Sequence, residues 1–247
     1  MNVFFIENGI DGLLSSIYFS FEKKILPDKV TDGNGYQQEL TDSEFYIKTD
    51  MEKANKIADS LTRYGGYDVI RRIKSCMLSC EPNAFLYAFR FAYKTLYYKK
   101  DLSGALSDKT ISDFVFTEQK VWAEAHRIKG FLRFSESHGG VIYARYSPDN
   151  DVTELIAPHF LKRLSGLPFV IHDIKRNKVA VSDGFNVLLD KTELPASFVP
   201  SERETAFADL FKTYYREINI EERKNTKQQN SYMPKRYRKY MPETYET

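Results

Sequence analysis

Four histidines stand at 126, 138, 159 and 172, and three of them have neighbours that could complete a site. His126 falls in W-A-E-A-H-R, one helical turn from Trp122, while His159 and Arg163 are four apart and so share a helix face. His172 is followed by Asp173 at the end of a β-type run. Imidazole titrates near neutral pH, so His126, His159, His172 and Asp173, brought to one cleft, would make a polar pocket or a general acid–base centre. These four are the catalytic candidates. Each also reads as a residue hydrogen-bonded inside a packed α/β interface, and His138, in S-H-G-G, reads as an exposed turn residue. Zinc is not expected, because no H-E-x-x-H spacing occurs and Cys76 and Cys80 sit in an apolar helical pattern that reads as core. No P-loop, G-x-G-x-x-G or G-x-S-x-G is present, so no metal and no cofactor is expected.

A second set of residues is cationic. Arg133 and Arg145 fall on neighbouring β-type runs, Arg163 on the following helix, and Lys175 and Arg176 at a hairpin tip. On one surface they would contact phosphates; singly, strand arginines pair with local acids such as Glu136 or Asp149. Residues 223–247 carry seven Lys/Arg against two Asp/Glu. Within that tail Lys235, Arg236, Tyr237, Arg238 and Lys239 interleave cations with an aromatic ring. Spaced cations release counterions from a phosphate backbone and tyrosine faces stack on bases, so the tail reads as nucleic-acid binding. The other reading is an extension that wraps its own domain through Tyr and Met.

The elements that must carry these groups follow from periodicity. Val3–Ile6 reads as a strand, and Asp11 as the cap of a helix with Leu13, Leu14, Ile17, Tyr18 and Phe21 at helical spacing. Residues 25–43 read as a loop and Phe45–Ile47 as a strand. Asp50 caps a helix through Leu61; Val69–Met77 and a segment opened by Pro82 are helices as well. The first half is mostly helical. After a polar stretch at 101–112, Glu118–Lys129 is a helix ended by Gly130. Phe131–Ser135 and Val141–Tyr146 form a hairpin around Ser137-His138-Gly139-Gly140, and Asp151 with Glu154 forms a capping box for a helix that Pro158 kinks or restarts. Phe169–Ile174 and Lys178–Val181 make a second hairpin. After a connecting loop at 194–200, Ser201 and Glu204 cap a last helix that docks by Phe207, Leu210, Phe211, Tyr214 and Ile218.

The fold class is therefore α+β: a helical N-terminal half, then a central α-β-β-α-β-β segment with an antiparallel or mixed sheet, then a C-terminal helix and basic tail. One domain over 1–222, divisible near 101–117, with a tail at 223–247, is the expected organisation. With 247 residues, 42% hydrophobic and 28% charged, the composition is that of a globular chain. No run approaches the ~20 apolar residues of a membrane span and the N-terminus lacks a signal-peptide pattern, so the expected location is the cytoplasm, without membrane contact.

The motifs H-R-I-K-G-F-L-R-F-S-E, Y-A-R-Y-S-P-D-N-D, L-I-A-P-H-F-L-K-R, F-V-I-H-D-I-K-R and M-P-K-R-Y-R-K-Y-M-P-E, with the opening V-F-F-I-E-N-G-I-D-G-L-L, resemble a bacterial family described as DNA metabolism or DNA repair proteins of unknown molecular function. The family is encoded beside a radical-SAM protein proposed to modify or repair DNA, and a similar domain is fused to uracil-DNA-glycosylase-like domains. The resemblance implies DNA and the radical-SAM protein as partners. It supplies no catalytic residue. Many members carry an aromatic where Arg238 stands here. Three readings result: a DNA-binding accessory protein in repair or base modification; a hydrolase or glycosylase-like enzyme in which Asp173 orients His172; and a scaffold that binds protein alone.

Overall fold

The computed structural model describes residues 1–7, 9–33, 36, 42–136, 140–192, 202–217 and 225–241. The chain is α+β and divides into two compact units, Met1–Trp122 and Ala123–Thr247. Outside the described residues lie Asn34 and Gly35, the Ser137-His138-Gly139 turn, the connection at 194–200, Ser201, Ile218, Arg223 and Lys224.

The first unit begins with β1 (Asn2–Ile6) and α1 (Ile10–Lys23), followed by β2 (Lys29–Thr31) and β3 (Ser43–Ile47). β1 is the central strand of a parallel sheet ordered β2-β1-β3. It is apolar on both faces, with Val3 and Phe4 fully buried, as a covered parallel strand requires. β2 falls where the sequence reads as loop: three residues are too few to show alternation. Asp11 does not cap α1, because Gly9 occupies the N-cap and Asp11 lies inside the first turn. The next glycine matters more: a Cβ on Gly12 would sit 2.2 Å from the Glu7 carbonyl oxygen, so only glycine lets α1 lie this close to the end of β1.

α2 (Met51–Gly65) starts as expected, with the Asp50 carboxylate accepting from the amides of Glu52 and Lys53. α3 (Val69–Met77) and α4 (Ala84–Tyr98) complete the helical layer. Phe4 meets Phe19, Phe45 and Phe89 edge to face, and Phe91 stacks on Phe114 at 3.8 Å between centroids. Cys76 is fully buried in this core, its thiol donating to the Ala84 carbonyl at 3.6 Å. Arg72 reaches Glu118 at 2.8 Å and Arg71 lies over Trp122, so the tryptophan belongs to this unit rather than to a site around His126.

α5 (Lys109–Phe131) is longer than the periodicity of 118–129 suggests, and the division between units falls inside it. It runs through Gly130; Arg133 Nη1 then donates to the carbonyls of Gly130 and Leu132, satisfying the end. In the second unit β4 (Ser135–Glu136) pairs antiparallel with β5 (Ile142–Tyr146). β5 pairs parallel with β6 (Phe169–Asp173), the crossover being α6 (Thr153–Arg163). β7 (Lys178–Ser182) and β8 (Val187–Lys191) continue antiparallel, giving a mixed sheet ordered β4-β5-β6-β7-β8.

The Asp151–Glu154 capping box does not form. Val152 holds the N-cap position, and the Asp151 carboxylate pairs instead with Lys178 at 2.8 Å. Of the two outcomes expected at Pro158, a restart does not occur: α6 is one helix that contains the proline. In α7 (Glu202–Glu217), three residues of the stripe expected to dock, Phe207, Leu210 and Tyr214, are exposed. α8 (Thr226–Tyr232) and α9 (Lys235–Arg238) close the chain, with Tyr237 and Met241 buried. Among the described residues no helix is long and apolar enough to cross a membrane.

Candidate functional site

A cavity of about 430 Å³ opens in the second unit where the C-terminal ends of α5 and α6 come together. Gly130, Leu132, Arg133, Phe134, Phe160, Arg163 and Leu164 line it, so that two guanidiniums face an apolar wall and no carboxylate lies in the lining. Phe134 meets Phe160 edge to face at 5.0 Å and Phe169 at 6.1 Å, which anchors the wall to the sheet. His159, exposed on α6, stands with its ring edge-on to Phe160. Burial and the charges of Lys129 and Arg163 together hold its imidazole below the usual pKa, an effect opposite to that of a neighbouring carboxylate.

Lys129 and Arg163 both act on His159, and Arg133 joins Arg163 in the lining of the cavity. A planar anion such as a phosphodiester matches guanidinium donors, and the phenyl wall suits the sugar or base attached to it.

The remaining candidates divide by strand alternation. His172 and Asp173 are adjacent on β6 and so project to opposite faces. His172 is 6% exposed; its Nδ1 is 2.8 Å from the Tyr143 hydroxyl, and its buried Nε2 has no partner among the described residues. Burial depresses its pKa, outweighing the opposing Asp173 charge, so the ring is neutral at pH 7. Arg145, opposite His172 in the β5–β6 register, is exposed and lies 5.7 Å from the Tyr240 ring.

Asp173 is fully buried and takes Arg176 Nη1 at 2.9 Å and the Lys175 amide at 3.0 Å. Burial pushes its carboxyl above the usual range in spite of the Arg176 guanidinium. Arg176 also donates to the carbonyls of Pro148 and Asp149. Its guanidinium thus satisfies a buried carboxylate and two turn carbonyls. Asp173 for the same reason does not orient His172; Tyr143 does. Lys175 is exposed in the turn.

The tail is held by a residue that sequence reasoning missed. Glu124 on α5, 3% exposed, accepts from the Tyr237 hydroxyl at 2.6 Å, the amides of Asp149 and Asn150 at 2.9 and 2.8 Å, and Asn150 Nδ2 at 2.5 Å. Burial alone would raise its pKa; the bonds from Tyr237, Asn150 and Asp149 outweigh that and hold it below the usual carboxylate range. Burial and the Glu124 bond together push the Tyr237 phenol up to about 12. Arg236 pairs with Asp149 at 2.8 Å, and Arg238 donates to Asn230 and the Met233 carbonyl. Lys235 and Lys239 are exposed.

Of the four catalytic candidates, His126 and His159 are exposed on their helices whereas His172 and Asp173 are buried in the sheet. Arg133 and Arg163 come together; Arg145, Arg176 and the tail do not line their cavity. Among the described residues no group of three or more His, Cys, Asp or Glu is placed to hold a metal ion.

No curated protein and no solved structure matches the chain. A family model does, over residues 82–243, which takes in α4, α5, the five-stranded sheet, both cavity arginines, Glu124 and Tyr237. With well over half of its length matched, this chain belongs to the family described as a domain of unknown function, DUF4130.

Proposed function

We propose that the protein is a DNA-associated accessory factor in repair or base modification, acting in the cytoplasm beside a radical-SAM partner, and that the Arg133–Arg163 cleft takes a DNA phosphate. The observation that carries this reading is the pair of guanidiniums facing Phe134 and Phe160 across one cavity. The resemblance of the H-R-I-K-G-F-L-R-F and L-I-A-P-H-F-L-K-R motifs to DNA metabolism proteins supports it, since those motifs supply both walls of the cleft. A His172–Asp173 hydrolase or glycosylase finds no support in the geometry of that pair: the imidazole is covered, and the carboxylate belongs to Arg176.

The test is binding of the pure protein to a labelled duplex across a salt series. A phosphate contact contributes about 0.9 to the slope of log affinity against log salt. Arg163→Glu, an exposed substitution, therefore lowers the slope by about one and weakens binding at low salt. Absence of binding by the parent at 50 mM salt, or an unchanged slope in the variant, refutes the cleft assignment.

A further inference from the structure

The first unit carries an aromatic row that the cleft does not use. On α4, Phe89, Tyr93 and Tyr97 follow one another at i, i+4 spacing with nearly parallel rings, the Phe89–Tyr93 and Tyr93–Tyr97 planes being 12° and 16° apart. Phe21 of α1 stacks on Tyr93 at 4.4 Å, and Tyr98 meets Tyr97 edge to face at 5.1 Å. The inner end of the row is core, since Phe89 is 1% exposed. Its outer end is not: Tyr97 is 63% and Tyr98 56% exposed, with Phe21 at 38%.

The cations around this row are ordered by the same two helices. Arg90 and Lys94 share the face of Tyr93 and Tyr97 at helical spacing, and Lys94 is tied to Asp108 at 2.6 Å. Phe19 and Phe89 both contact Phe4, and two and four residues further on Phe21 contacts Tyr93, so α1 and α4 run in the same sense and end on the same side. That side carries exposed Lys23, Lys24, Lys99 and Lys100, with Lys24 and Lys99 in left-handed conformation just past the helices. Lys23 is paired with Glu22 at 3.9 Å and exposed Asp101 follows Lys100, so the four lysines complement the carbonyl ends of the helices and outnumber the two acids beside them.

We propose that this row is a stacking platform for single-stranded nucleic acid, with bases stacking onto Tyr97 and Tyr98 and the strand's phosphates running past the lysines. Exposed ring faces beside a surplus of cations match a polyanion that carries planar groups. A duplex covers its base faces, so a strand with unpaired bases is the form that fits; a protein partner would not require the basic rim. The inference rests on the nucleic-acid reading above and adds the form of strand, on residues separate from the cleft.

Fluorescence anisotropy of the full chain with a labelled 15-mer oligothymidylate and with a labelled duplex tests it. Tyr97→Ala/Tyr98→Ala weakens oligothymidylate binding by at least about 5- to 150-fold, the range for loss of one of the two stacked bases. Duplex binding stays as in the parent, and Tyr97→Phe/Tyr98→Phe retains parental affinity for both. Because both side chains are exposed the variants fold, which circular dichroism checks. Parental single-strand affinity in the alanine variant, or no single-strand binding by the parent at low salt, overturns the platform; so does a variant phenotype confined to protein association. Arg163→Glu separates the two readings. Duplex binding indifferent to it, together with a single-strand response to the alanine variant, removes the cleft and keeps the platform.

Discussion

Replacing Tyr237 by phenylalanine removes one hydroxyl, and that hydroxyl ties the C-terminal segment to α5 through Glu124 at 2.6 Å. A buried bond to a charged acceptor is worth about 1.5–3 kcal/mol. The neighbouring Arg236–Asp149 pair, with side chains 51% and 41% exposed, is worth at most ~1 kcal/mol by comparison. The tyrosine, not the ion pair, therefore holds the segment. Glu124→Gln costs about 3 kcal/mol, because the amide turns one NH₂ towards donors at Asp149, Asn150 and Tyr237 that all need an acceptor. The two variants share one bond, so their effects do not add: the double variant costs about as much as Glu124→Gln alone. Urea unfolding reads the energies, and trypsin cleavage after Lys235, Arg236, Arg238 and Lys239 reads release of the segment. Glu124 also sets a pH dependence. Its folded pKa is depressed, so its contribution is fully present above the unfolded value of about 4.3 and is lost as pH falls through the lower folded value. The Glu124→Gln variant lacks that acid step. A Tyr237→Phe protein within ~0.5 kcal/mol of the parent and cleaved at the parent's rate refutes this reasoning.

Arg176→Ala strands the buried Asp173 carboxylate and two turn carbonyls, and lowers stability by about 3–5 kcal/mol in urea unfolding; Arg176→Lys, without a planar fork, restores only part. Gly12→Ala drives a Cβ against the Glu7 carbonyl and costs about 3 kcal/mol by thermal unfolding, whereas alanine at Gly104, where the space is open, costs under ~1 kcal/mol. His172 is buried with a depressed pKa, so the unfolded chain binds a proton first as pH falls below its ordinary value of about 6.5; stability is lost from there down to the folded pKa. His172→Gln flattens that part of the stability profile while leaving the acid step of Glu124 in place.

Where burial and period coincide, the sequence is a sufficient guide. Asp50 and the apolar face of Ala54, Ile57 and Leu61 define α2 without tertiary information, and the runs of β5, β6 and β7 are recognisable by composition. β2 and β8 escape notice for opposite reasons: one has three residues, and the other leaves Leu188 and Leu189 exposed on an edge strand. The early start of α5 was legible in Ile111, Phe114 and Val115, which are buried at helical spacing beneath a polar stretch that resembles a linker. The capping box at Asp151 fails because Lys178, distant in sequence, claims the carboxylate. Arg133 and Arg163 are visible singly as cations, but only the packing of α5 against α6 places them in one cavity. Glu124 has no local mark at all. In W-A-E-A-H-R the histidine draws the eye, yet it is the glutamate that turns inward to meet donors from a loop and from the tail.

The most direct test of the cleft is to find where DNA touches the protein. A duplex carrying 5-bromodeoxyuridine, crosslinked to the full chain by ultraviolet light and mapped by mass spectrometry, should leave adducts on the peptides that contain Arg133–Phe134 and His159–Arg163. Adducts confined to the exposed Lys235 and Lys239 of the tail, or none at either wall of the cavity, would contradict the account.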